Sequence, residues 1–153
     1  MTGKSFQDYY TDEFSHCYGC GRLNEHGLKI KSYWDGEESV CRFQPKDYQT
    51  GGFPGNVYGG LIASLMDCHG AGTASAIKYR EDGRDMVADS PARFVTASLH
   101  VDYLAPTPID AMLELRGKVR EIKGRKVIVS ITLSAKEKLC ARGEVVMVQL
   151  PAG

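Results

Sequence analysis

The 153-residue sequence lacks a surplus of either charge, since 19 Lys plus Arg balance 19 Asp plus Glu. A net positive field of the kind that gathers nucleic acid is thereby excluded. It also lacks any apolar run near the ~20 residues that span a bilayer, so no membrane contact is expected. The opening MTGKSFQDYY has no apolar signal segment, and the expectation is a cytoplasmic protein. Cysteine is sparse and odd in number: Cys17, Cys20, Cys41, Cys68 and Cys140. Scattered thiols of that count do not read as a disulfide framework and agree with a reducing compartment. Internal repeats and low-complexity linkers are absent. The length suits one domain, 1–153, with residues 1–27 as an N-terminal arm and cysteine-containing loop.

What is present is organised around residues 59–78, GGLIASLMDCHGAGTASAIK. Leu61, Ile62, Leu65 and Met66 recur at helical spacing, and Asp67 is the one charge between positions 59 and 77. A lone carboxylate on an apolar helix is costly to bury, because its charged form loses hydration. Its neighbours three, four and seven places away are Ala63, Ser64, Gly70, Ala71 and Ala74, all small. The expectation is a buried helix whose small stripe beside Asp67 leaves room for a ligand. The plainer alternative is a structural acid paired with a cation such as Arg93.

Two short strands precede the helix, at 28–34 and 38–43, joined by the hairpin signal Asp35-Gly36. Residues 44–58 then form a long Gly- and Pro-bearing loop of the kind often given to function. A charged loop at 78–93 follows the helix. After it, four period-two runs around 95–103, 111–120, 127–134 and 139–147 read as antiparallel strands in a meander. Their apolar faces need a partner, and the central helix is the large apolar one available. The predicted fold is α+β, about six antiparallel strands curled around one long helix.

Single residues carry further expectations. Alternation places Thr96 with Ser98, His100 and Asp102 on the outer face, where it reaches a site only if that face meets another subunit. His69 lies about 200° around the helix from Asp67 and reads as a satisfied core histidine. Cys17 and Cys20 have C-x-x-C spacing near His16 and His26. Zinc needs about four ligands and no second pair is present, so loop packing is expected over a metal.

The order of elements resembles the hotdog fold, and three motifs resemble its PaaI-like acyl-CoA thioesterases. Asn56-Val57-Tyr58-Gly59-Gly60-Leu61-Ile62 with Leu65 and Asp67 looks like N-x-H-G-G-x-x-x-x-L-x-D. The strand from Thr96 into Ala105-Pro106 looks like one ending Y-x-x-P. Cys17-Tyr18-Gly19-Cys20-Gly21 with Asn24 and Gly27-Leu28 looks like the opening of one branch. The resemblance implies hydrolysis of acyl-CoA between two subunits of a homodimer or homotetramer, with no cofactor beyond the CoA of the substrate. It makes Asp67 the catalytic base or nucleophile and the Gly60 N–H the group that polarises the thioester carbonyl. Asn56, Tyr58, Gly59 and Thr96 become substrate-binding positions. Basic residues such as Arg84, Arg93 and those of the 123–126 turn become candidates for CoA phosphates. Tyr58 departs from the family's His. The alternatives on the same fold are a non-catalytic acyl-CoA binder and, ranked last, an enoyl-thioester hydratase.

Overall fold

The computed structural model describes residues 3–86 and 92–151. Two short 3-10 turns, Phe6–Tyr9 and Asp12–Phe14, lead into β1 (Ser32–Asp35) and β2 (Glu38–Phe43). The helix α1 (Gly59–Glu81) comes next, then β3 (Phe94–Tyr103), β4 (Leu113–Lys123), β5 (Lys126–Ala135) and β6 (Lys138–Gln149). The six strands form one antiparallel sheet in the order β1-β2-β4-β5-β6-β3. One long helix against a curved antiparallel sheet is the hotdog arrangement that the element order implied.

Two boundaries and one connection differ from expectation. The first strand starts at Ser32, because residues 28–31 pair with the cysteine loop instead. The Leu28 N–H donates to Tyr18 O and the Ile30 N–H to Gly19 O. The helix runs past residue 78 to Glu81 and stops where Gly83 takes φ +67°, a left-handed conformation that ends helices at little cost in glycine. Residues 87–91 of the expected charged loop lie outside the described residues. The meander holds only for β4, β5 and β6, since β3 pairs with β6 and not with β4. The prolines at 106 and 108 cannot continue a ladder. The chain there crosses under the helix entry, with the Val57 N–H bonded to Thr107 O.

The core is the interface of sheet and helix. Val127, Val129, Ile131, Leu133 and Ala135 of β5 alternate inward, with Leu113 and Leu115 of β4 and Val145 and Met147 of β6. They cover Leu61, Ile62, Leu65 and Met66. Each buried Val, Leu, Ile or Met side chain among them contributes about 1.5–3 kcal/mol. Glycine sets how closely the layers approach: a Cβ on Gly143 would lie 2.5 Å from Met66 Sδ, and one on Gly70 would lie 3.1 Å from Val145.

His69 is the polar centre of this core, fully buried as expected. Thr73 Oγ1 donates to His69 O at 2.7 Å, so its one proton is used. Ser39 Oγ, 2.7 Å away, must therefore donate to Thr73 and accept from His69 Nε2 at 3.0 Å. The neutral ring's Nδ1 then accepts from Ser32 Oγ at 2.8 Å, and that oxygen accepts from Gln7 Nε2. Every proton in the chain is assigned by its neighbours, and the ring is the neutral Nε2–H tautomer.

Candidate active site at the helix and the edge strand

The helix α1 is buried nearly all round, but Gly59, Gly60, Ala63, Ser64, Asp67 and Ala71 form a half-exposed stripe. Gly60 and Asp67 are seven residues apart, close to two turns, so they share this face. Gly70 and Ala74, expected on the same open stripe, are buried, with Gly70 against Val145 of β6.

Asp67 meets Thr96, whose Oγ1 donates to its Oδ1. This overturns the outward placement of Thr96. The pairing passes from Thr96↔Met147 to Ser98↔Val146, leaving Ala97 as the extra residue of a β-bulge. A bulge reverses the in–out parity of everything before it. Leu99 and Val101 face the helix at one parity, and Thr96 faces it at the other. Arg93 does not pair with Asp67: it stacks on Phe14 and donates to Pro151 O.

Asp67 and Thr96 stand at a cavity of about 340 Å³, walled otherwise by apolar groups such as Phe14, Phe94 and Leu150. That volume falls in the range of small-molecule sites. Cys17, Cys20 and Cys68 also line it. The Cys20 and Cys68 thiols both approach the Cys17 sulfur and hold its pKa well below the ordinary thiol range. Hydrogen bonding to that sulfur in turn pushes Cys20 up to about 12. Sequence spacing marked the C-x-x-C pair, but not the arrival of Cys68.

The helix start is built separately. Tyr58 is its N-cap residue, and the first-turn N–H groups of Gly59 and Gly60 have no helical acceptor. Loop 44–58 delivers them: the Tyr58 N–H bonds Gln49 O, and Thr50 bridges Val57. Tyr103 at the end of β3 donates its hydroxyl to Gly59 O at 2.7 Å. Tyr58, a residue 58% exposed, folds its ring back over Gly60, where a Cβ would lie 2.4 Å from that ring. Gly60 and Tyr58 line a hollow of about 250 Å³, while Asn56 and Gly59 line another of about 420 Å³ on the Tyr103 side. Within one chain the sequence-predicted residues thus fall into three neighbouring hollows. Asp67 and Thr96 share one; Gly60 does not join them. Two helical turns put Gly60 and Asp67 about 10 Å apart along the axis.

Comparison with known proteins agrees with this architecture. The family model described as Thioesterase superfamily matches residues 54–141. The acyl-coenzyme A thioesterase THEM4 of Rattus norvegicus is 32% identical over 99 residues, 65% of this chain and 36% of that protein. THEM4 of Xenopus laevis is 34% identical over 98 residues, 64% of this chain and 38% of that one. The chain thus spans little more than a third of the length of these curated relatives. A Thioesterase superfamily protein from Shewanella loihica PV-4 superposes with TM-score 0.69 at 48% identity, covering 92% of this chain and 98% of its own. The E. coli PaaI protein shares the fold at TM-score 0.65 with 16% identity, covering 82% of each chain. The chain belongs to the Thioesterase superfamily.

Proposed function

We propose that this protein hydrolyses an acyl-CoA thioester to a free acid and CoA. The observation that carries the reading is Asp67, held by Thr96 on a small-residue stripe at the polar end of an apolar cavity. Thr96 occupies one carboxylate oxygen and leaves the other to take a proton from water. That water attacks the carbonyl carbon, and the carbonyl oxygen becomes an oxyanion. With the donor and the acid drawn from two different chains, a Gly60 N–H faces the developing charge, aided by the helix dipole. One such donor contributes roughly 100- to 1,000-fold in rate. The C–S bond then breaks, the thiolate leaves with the electron pair, and the proton on Asp67 is released to solvent or sulfur. The acyl group occupies the apolar cavity, and Asn56, Tyr58 and Gly59 border the approach to the carbonyl. The chemical step needs no cofactor beyond the CoA of the substrate. Relatives carrying the name acyl-coenzyme A thioesterase support the substrate class.

The separation of Gly60 from Asp67 supports a site shared between two chains of a homodimer, or of a homotetramer built from it. β3 supports the same reading as a ten-residue edge strand of the sheet. An unpaired edge of that length is a template for strand pairing. The neutral net charge argues against a nucleic-acid partner. No helix among the described residues is long and apolar enough to cross a membrane. The cytoplasm is the compartment proposed, where acyl-CoA is at hand and thiols stay reduced.

The test is thiol release from a panel of short-chain, medium-chain and aromatic acyl-CoAs. Asp67→Asn should lower kcat by about 100-fold or more. Equal turnover by both proteins, or none by wild type across the panel, refutes the enzyme reading. One observation favours a non-catalytic acyl-CoA binder instead, namely the Tyr58 ring lying over Gly60. Saturable CoA-ester binding without hydrolysis would establish it. The hydratase alternative is weakened because His69, bonded at both nitrogens in the core, cannot supply the ring such chemistry uses.

A further inference from the structure

We propose that Cys17, Cys20 and Cys68 form a three-thiolate site for a soft divalent cation, zinc above all. Their three sulfurs all lie within 4.8 Å of one another, and Cys17 and Cys68 are 3.7 Å apart, although 51 residues separate them in the chain. Thiolates arranged tetrahedrally at about 2.3 Å from zinc stand about 3.8 Å apart. The spacing expected to lack a second half has its third ligand on the helix.

The loop is shaped for this. Between the two cysteines the chain makes a tight turn, with the Gly21 N–H on Cys17 O at 2.7 Å and the Gly19 N–H on Cys17 Sγ at 3.3 Å. Backbone N–H groups aimed at a sulfur stabilise it as a thiolate ligand. Gly19 also opens the way for the helix residue, since a Cβ there would lie 2.2 Å from Cys68 Sγ. A side chain at position 19 would force the Cys68 sulfur to move. All three cysteines line the cavity that holds Asp67, so the fourth coordination position opens toward that cavity. Binding displaces the thiol protons into solvent and ties the N-terminal loop to the helix beside the acid. The proposal does not rest on thioesterase activity and is tested without it.

The full chain is reduced with a phosphine, stripped with chelator, loaded with zinc and passed over a desalting column. The expected result is about one zinc per chain by elemental mass spectrometry, and a thiolate-to-metal charge-transfer band when cobalt replaces zinc. Cys17→Ser and Cys68→Ser should each reduce retention to background, while Cys41→Ser and Cys140→Ser retain it. A second measurement uses wild type alone: zinc should slow alkylation of Cys17, Cys20 and Cys68 by iodoacetamide, but not that of Cys41 or Cys140. The proposal is overturned if wild type retains no more zinc than Cys17→Ser, or if zinc leaves all five alkylation rates unchanged. Recovery of a disulfide among the three cysteines from zinc-loaded protein also overturns it.

Discussion

Thr96 and Asp67 are coupled through a single hydroxyl. Thr96→Val keeps the shape of the side chain and removes the donor, leaving the carboxylate free to rotate. We expect kcat to fall about tenfold with the melting temperature nearly unchanged, and Thr96→Ser to restore most of the rate. Steady-state kinetics on the three proteins, with thermal unfolding alongside, checks this. His69 makes a different prediction. Burial holds its pKa down at about 4, against an ordinary value of 6.5, because the charged ring would lose its hydration in the core. Above pH 6.5 the ring is neutral in folded and unfolded chains alike. Between about 6.5 and 4 only the unfolded chain takes the proton, so stability falls as pH falls through that window. The slope from this one ring approaches about 1.4 kcal/mol per pH unit. Urea unfolding across that range should show the slope in wild type, and His69→Gln should remove that part of it.

The elements work through small residues at points of close approach. Gly117 of β4 sits under the histidine network, where a Cβ would lie 2.4 Å from Ser39 Oγ and 3.2 Å from His69 Nε2. Both neighbours are buried and held, so Gly117→Ala cannot be absorbed by a flexible tip. It should cost about 1–3 kcal/mol, seen as a lower urea midpoint at unchanged m value. The helix start has the opposite tolerance. Tyr58 is mostly exposed and can swing off Gly60, and a first-turn residue has no helical hydrogen bond to lose. Gly60→Pro removes the proposed oxyanion donor and spares the fold. A loss of about 100- to 1,000-fold in kcat with native circular dichroism is expected.

At the scale of the whole molecule, the donor and the acid in one chain line different hollows. If each site takes Asp67 from one subunit and Gly60 from its partner, two dead variants can make one live site. Co-expressed Asp67→Asn and Gly60→Pro chains would then recover up to about a quarter of wild-type activity, since half the mixed pairs' sites are intact. Donor and acid from the same chain would give no recovery. Thiol release from the purified mixture, compared with each variant alone, separates the two cases.

The sequence by itself determined the helix, the strand runs and the isolation of Asp67, because these are local: period 3.6, period two, and one charge among small residues. It also determined that His69 belongs in the core. Three things were decided only by tertiary structure. The pairing of β3 with β6 rather than β4 is a long-range hydrogen-bonding choice that alternation does not encode. The one-residue bulge at Ala97 has no residue-type signal, yet it turned Thr96 from solvent to the acid. The meeting of Cys68 with Cys17 and Cys20 depends on the N-terminal loop folding across the helix face, where Gly19 leaves space for a sulfur. Each is a contact between segments far apart in the chain, and periodicity carries no record of such contacts.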